Sequence, residues 1–321
     1  MDEPLLDIIN NRHVLYPIKW EKIWRAYKEH QQAFWTAEEI DFSADMQDWD
    51  SLSENEEKFI SNILSFFAGS DGIIFENLSI NFIEEIQIPE VRAYYGWQAA
   101  METIHSETYS LMIDTYIKNE DKKINLLNGI KTMDGVNKKA EWACKWLNRS
   151  IPFPERLLAF TIVEGIFFSG SFCAIFWLKY VKGIMGKALG KSNELIARDE
   201  SLHTDFGVLL YSYINNKPTK ERVYEMFNSA VKIEKEFINE SLPCNLIGMN
   251  SVEMSKYIDF QADRLLEKLG YNKLFDSKKC PFSFMDSISL DNKSNFFEQR
   301  VTDYNRPEQI VNKQLTIVDD F

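Results

Sequence analysis

Residues 158–178 carry one charged side chain, Glu164, in a run that is otherwise apolar or small. An ionised carboxylate held in an apolar helix without a partner is costly enough to take up a proton instead. The rest of the chain must therefore supply a cation or a tight hydrogen-bond network. The run is long enough for a bilayer, but Glu164, Gly165, Ser169, Gly170 and Ser171 interrupt it and no second span accompanies it. It reads as the core helix of a globular protein with no membrane partner.

The regular pattern around it is helical. Apolar residues recur at three-and-four spacing over about residues 54–80, 88–118, 154–181, 192–214, 219–240 and 250–268, with few glycines or prolines inside. Alternating strand patterns are scarce, so the expectation is an all-α bundle. It forms one helical domain over residues 1–307, with an N-terminal arm to about residue 30 and a polar tail over 308–321. The net charge of -13 comes from acids that are spread rather than blocked, which argues against a nucleic-acid partner. Cys144, Cys173, Cys244 and Cys280 lie far apart, as reduced thiols do. The acidic start "MDEPLLDIIN" lacks the pattern of an export signal, so the expected location is cytoplasmic. "GKALGKS", residues 186–192, is one residue short of a phosphate-binding loop and follows a helix rather than a strand. It reads as a connection between helices.

Histidine is rare, with only His13, His30, His105 and His203, yet two of the four stand in the same pattern. Glu102 precedes His105 by three residues in "METIHSETY", and Glu200 precedes His203 by three in "ARDESLHTDF". Residues three apart share a helix face, so each pair can present a carboxylate and an imidazole to one point. One ExxH is weak evidence, since a half-buried histidine near an acid is common. Two of them on separate helices, with one inward carboxylate from each of two more, make the ligand set of a carboxylate-bridged dinuclear site in a four-helix bundle. Glu164 is the third helix's ligand, and Asp71 or Glu76 in "ILSFFAGSDGIIFENL" the fourth's. Four carboxylates and two imidazoles around two divalent ions nearly balance charge, which lets Glu164 be buried. Oxygen and nitrogen donors without a thiolate suit iron or manganese better than structural zinc.

At these residues the sequence resembles the small, radical-carrying subunit of class I ribonucleotide reductase. The blocks "FWTAEEID", "FFAGSDGI", "METIHSETYSLMIDTYI", "VEGIFFSGSF", "SNELIARDESLH", "NLIGMN" and "SNFFEQRV" match that family in order along nearly the whole chain. The resemblance implies a ferritin-like fold and two iron ions, with manganese as the alternative. Asp71, Glu102 and His105 would hold one ion and Glu164, Glu200 and His203 the other, with Glu102 and Glu200 bridging. Tyr109 would carry the radical, sheltered by Phe168, Phe172 and Ile196. Glu102, His105 and Tyr109 stand at i, i+3 and i+7, which is consistent with one shared helix face.

The same resemblance makes Trp35 the electron-transfer tryptophan, Asp199 its link to His105, and Tyr304 the tyrosine that relays the radical to the large subunit. It also implies a homodimer and docking of the C-terminal "LTIVDDF", from Leu315 to Phe321, on that large subunit. This ending departs from the family's common Phe-Thr-Leu-Asp-Ala-Asp-Phe, with Leu315 for the first phenylalanine and Val318 where an acid is common. Iron-storage proteins of the ferritin type and di-iron oxygenases share the ligand set. The former would be about half this length, judging by domain-size priors, and the latter would need room for an organic substrate.

Overall fold

The computed structural model describes residues 3–77, 81–241 and 244–285, without the side chains of a few positions, Asp71 among them. Its longer helices are α1 (Glu21–Gln32), α2 (Glu54–Asn77), α3 (Pro89–Tyr116), α4 (Asp134–Lys145), α5 (Phe153–Lys182), α6 (Leu189–Ser212), α7 (Lys220–Glu236) and α8 (Ser251–Lys268). No strand occurs among the described residues, so the all-α expectation holds. Residues 1–282 make one compact unit; 283–321 are a second, of which only 283–285 are described.

Helix starts follow local chemistry. Pro89 opens α3, where its missing N–H costs nothing, and Asn250 caps α8 by accepting from the N–H groups of Val252 and Glu253. The first turn of α6 shows why "GKALGKS" is no phosphate loop. The Asp45 carboxylate already accepts from the backbone N–H of Lys187, Ala188 and Leu189 at 2.9, 3.0 and 2.8 Å. A protein carboxylate occupies the place an anion would take.

The core is built pairwise: α2 lies along α3, α5 along α6, and α3 meets α6. Helix α5 passes the length and hydropathy test for a membrane span, yet 94% of its most apolar window is buried inside the protein. It is a core helix. Its path is interrupted by a π-turn over Val163–Phe167, which contains Glu164. A π-turn inserts a residue and misaligns the carbonyls that follow. Here the Phe167 carbonyl accepts from Lys139 Nζ of α4 at 2.7 Å, and Lys139 pairs with the equally buried Glu234 of α7 at 2.5 Å. At Gly207 of α6, an added Cβ would lie 2.4 Å from Thr161 Oγ1, so the glycine permits α5 and α6 to close up one turn from Glu164 and His203.

Candidate metal centre

Four side chains from three helices converge at the middle of the core. Single ligand atoms of Glu102 (α3), Glu164 (α5), Glu200 and His203 (α6) all lie within 4.8 Å of one another, and all four residues are buried. His105 adjoins them, its Nδ1 3.4 Å from Glu102 Oε2 and 3.2 Å from Glu200 Oε1. His203 Nδ1 lies 3.1 Å from Glu102 Oε1 and 3.2 Å from Glu200 Oε2. Each ExxH thus reaches across to the other's carboxylate. Asp71 lies on α2, its side chain outside the described residues; its competitor Glu76 is exposed.

The electrostatics follow from crowding acids and imidazoles in a dry core. Burial alone would lower His203, but Glu200 and Glu102 raise it to about 9. Burial likewise opposes the charge on His105, and hydrogen bonding to Asp199, Glu102 and Glu200 outweighs it and raises His105 above the ordinary histidine range. Glu200 is held well below its usual value: burial works against this, while the charge of His203 and hydrogen bonding to both imidazoles overcome it. The protein's own groups partly neutralise the cluster with protons. A divalent ion could replace them.

The donor set fits such an ion. Glu102 Oε2 and His105 Nδ1 are buried and face each other at 3.4 Å, and carboxylate oxygens and imidazole nitrogens of both motifs are turned to one shared region. Converging buried oxygen and nitrogen donors of this kind suit coordination. The outer nitrogen of His105 is fixed instead: Nε2 lies 3.1 Å from Asp199 Oδ2, which also accepts from Trp35 Nε1 at 2.7 Å. The Trp35 ring stacks on His105 with centroids 6.0 Å apart.

Comparison with known proteins decides the family. The family model "Ribonucleotide reductase, small chain" matches residues 12–281. The ribonucleoside-diphosphate reductase small chain of Trypanosoma brucei brucei is 55% identical over 95% of this chain and 90% of its own length. The chain belongs to the ribonucleotide reductase small-chain family. Subunit M2 of the same enzyme from Mesocricetus auratus is 50% identical over 100% of this chain and 82% of its own. Among solved structures, the ribonucleotide reductase Rnr4 homodimer of Saccharomyces cerevisiae superposes with a TM-score of 0.81 at 38% identity, covering 94% of this chain and 92% of that one. The dimanganese(II)-NrdF of Streptococcus sanguinis shares the fold, with a TM-score of 0.76 at 19% identity over 86% of this chain and 99% of that one. The ferritin-like architecture is that of the family, and a small chain of a reductase implies a large-chain partner.

In this small chain Tyr109 is 3% exposed and stacks on Phe67 with centroids 4.6 Å apart. Phe67 also stacks on Phe168 and Phe172, at 5.9 and 5.2 Å, so the ring lies against an apolar wall. Ile196 is buried. Two cavities border α5 beside Glu164, lined in part by Ile74, Ala143 and Val163, and each offers about 20 Å3. That is room for a water molecule, not for an organic substrate. Tyr304 and the ending from Leu315 to Phe321 lie outside the described residues.

Sequence reasoning missed three neighbours. Phe67 lies one turn before Asp71 on α2, and its ring stacks on Tyr109. Gln98, one turn before Glu102, donates to Glu164 Oε1 at 2.9 Å and Glu102 Oε1 at 3.4 Å. His30 of α1 sets its Nε2 3.3 Å from His203 Nε2. The spacing of Gln98 to Glu102 was a readable signal; for His30 the only hint was the scarcity of histidine.

Proposed function

We propose that this small chain holds two iron ions through Asp71, Glu102 and His105 on one side and Glu164, Glu200 and His203 on the other. Loaded with that metal and supplied with oxygen, the chain would carry a radical at Tyr109 for transfer to the large subunit, where ribonucleotides are reduced to deoxyribonucleotides. The observation that carries this reading is the convergence of both ExxH pairs with Glu164, and Tyr109 follows His105 by one turn of the same helix. Manganese is the alternative, since oxygen and nitrogen donors accept either metal.

When bound, the iron pair and oxygen supply the oxidant that takes one electron and the hydroxyl proton of Tyr109. The chain's own residues do the rest. Phe67, Phe168 and Phe172 exclude water from the phenoxyl ring and so slow its quenching. Asp199 holds His105 with its Nε2 protonated and its Nδ1 turned to the cluster, and fixes Trp35 through the same oxygen. Trp35, Asp199 and His105 then form the start of a path by which the radical leaves, with Tyr304 as the relay to the partner. The segment from Leu315 to Phe321 docks on the large subunit: Leu315, Ile317 and Phe321 anchor it, and Asp319 and Asp320 meet a basic groove. The domain division is the helical body over residues 1–307 and this tail over 308–321. The working unit is a homodimer in the cytoplasm, with neither nucleic acid nor membrane as partner.

Electron paramagnetic resonance after addition of ferrous iron and oxygen tests the reading. A tyrosyl signal is expected in the wild-type chain, with its loss in Tyr109→Phe. An unchanged signal in that variant places the radical elsewhere.

A further inference from the structure

His30 is fully buried, yet it belongs to a helix whose only other buried residue is Ile23. Its ring lies against Tyr94 at 5.3 Å and edge-on to His203 at 4.8 Å. An apolar side chain would fill that place without penalty. The imidazole leaves Nδ1 buried with no hydrogen-bond partner. Such an atom in a native core calls for a reason.

The reason follows from proton counting on His203, and it rests on the metal reading above. To hold an ion through Nδ1, which faces Glu102 and Glu200, a neutral imidazole must keep its lone pair there and carry its proton on Nε2. That N–H needs an acceptor in a dry core. The partner within reach of it is His30 Nε2, at 3.3 Å. To accept, His30 must in turn carry its proton on Nδ1, the atom that has no partner. The unsatisfied nitrogen is thus the cost of offering a lone pair to His203.

We propose that His30 is a positioning residue for the metal centre: its Nε2 accepts from His203 Nε2–H and so fixes the tautomer that turns Nδ1 of His203 toward the carboxylate cluster. His105 receives the same service from Asp199, a carboxylate, at 3.1 Å. The two imidazoles of the site therefore have outer partners of different charge. A carboxylate makes its imidazole a stronger donor than a neutral ring can. The ion beside His203 is correspondingly the more dependent on exact ring placement.

The test uses the full chain and manganese(II) alone, counted by the resonance of the free ion during anaerobic titration, so that both affinities are read without turnover. His30→Leu keeps an apolar volume and removes the acceptor; it should weaken one of the two ions about 10- to 100-fold and leave the other unchanged. His30→Gln restores an acceptor oxygen and should recover most of that loss. A packing role predicts the reverse order, with leucine tolerated and glutamine not, and that order overturns the proposal. A second measurement needs no variant. In zinc-loaded chain with nitrogen-15 histidine, a coupling through the hydrogen bond should join the two Nε2 nuclei of His30 and His203, and its absence also overturns the proposal. Two manganese ions in the wild type with unchanged affinities in His30→Leu sink the role of His30 alone. A wild-type chain that binds fewer than two sinks the metal reading, and this proposal with it.

Discussion

The two ExxH pairs are the same motif set in different surroundings. Each lies on a core helix, and each sends its imidazole Nδ1 within 3.4 Å of carboxylates of both motifs. Behind the ring the likeness ends. His105 backs onto Asp199, which also holds Trp35, whereas His203 backs onto His30, a neutral ring whose pKa is pushed down to about 3, chiefly by burial and then by the charge of His203. The local motif sets what points inward, and distant packing sets what stands behind it. On the His105 side the Trp35 indole stacks on the ring and shares its carboxylate partner, the arrangement that the proposed export of a radical calls for.

The largest effect should come from removing either ring. His105→Ala and His203→Ala should each leave buried carboxylates short of a donor and reduce bound metal well below that of the wild type, as metal analysis after anaerobic loading will read. Equal loss from both would show that the inner shells are equivalent. The outer shells should not be: Asp199→Asn should weaken the ion at His105 about 10- to 100-fold and spare that at His203. Trp35→Phe should leave both ions in place while turnover with the large subunit collapses, which separates the exit route from the centre.

A smaller effect is expected from pH. In metal-free protein His203 stays protonated up to about 9, so an entering ion must displace its proton. Metal affinity should therefore rise with pH up to about 9, by about tenfold per pH unit for each proton released. A flat profile in a buffered manganese titration would contradict the assigned cluster. The smallest change should follow Gln98→Leu. Its amide bonds Glu164 and Glu102, so both ions should weaken together, by less than the one-sided changes produced by Asp199→Asn.

What could be read from the sequence was local. Glu102, His105 and Tyr109 share a face because helix geometry fixes it, and Glu164 announced itself by standing alone in an apolar run. The contact between His30 and His203 spans 173 residues, and no periodicity links them. Helix α4 escaped for a related reason: its buried face is Gly135, Val136, Lys139 and Ala140, too small and too polar to show as an apolar stripe. Lys139 is buried there because it meets the Phe167 carbonyl and Glu234, which tertiary packing supplies. The π-turn at Glu164 was equally hidden, since one inserted residue shifts the helical period too little to see.

The proposed dinuclear centre depends on the paired ExxH helices acting together with Glu164 and Asp71. Metal analysis of the full chain loaded anaerobically with ferrous iron and freed of excess tests it most directly. Two ions per chain are expected, with a sharp fall in Glu164→Ala because the buried cluster loses one of its carboxylates. One ion or none in the wild type, or an unchanged count in Glu164→Ala, would contradict it.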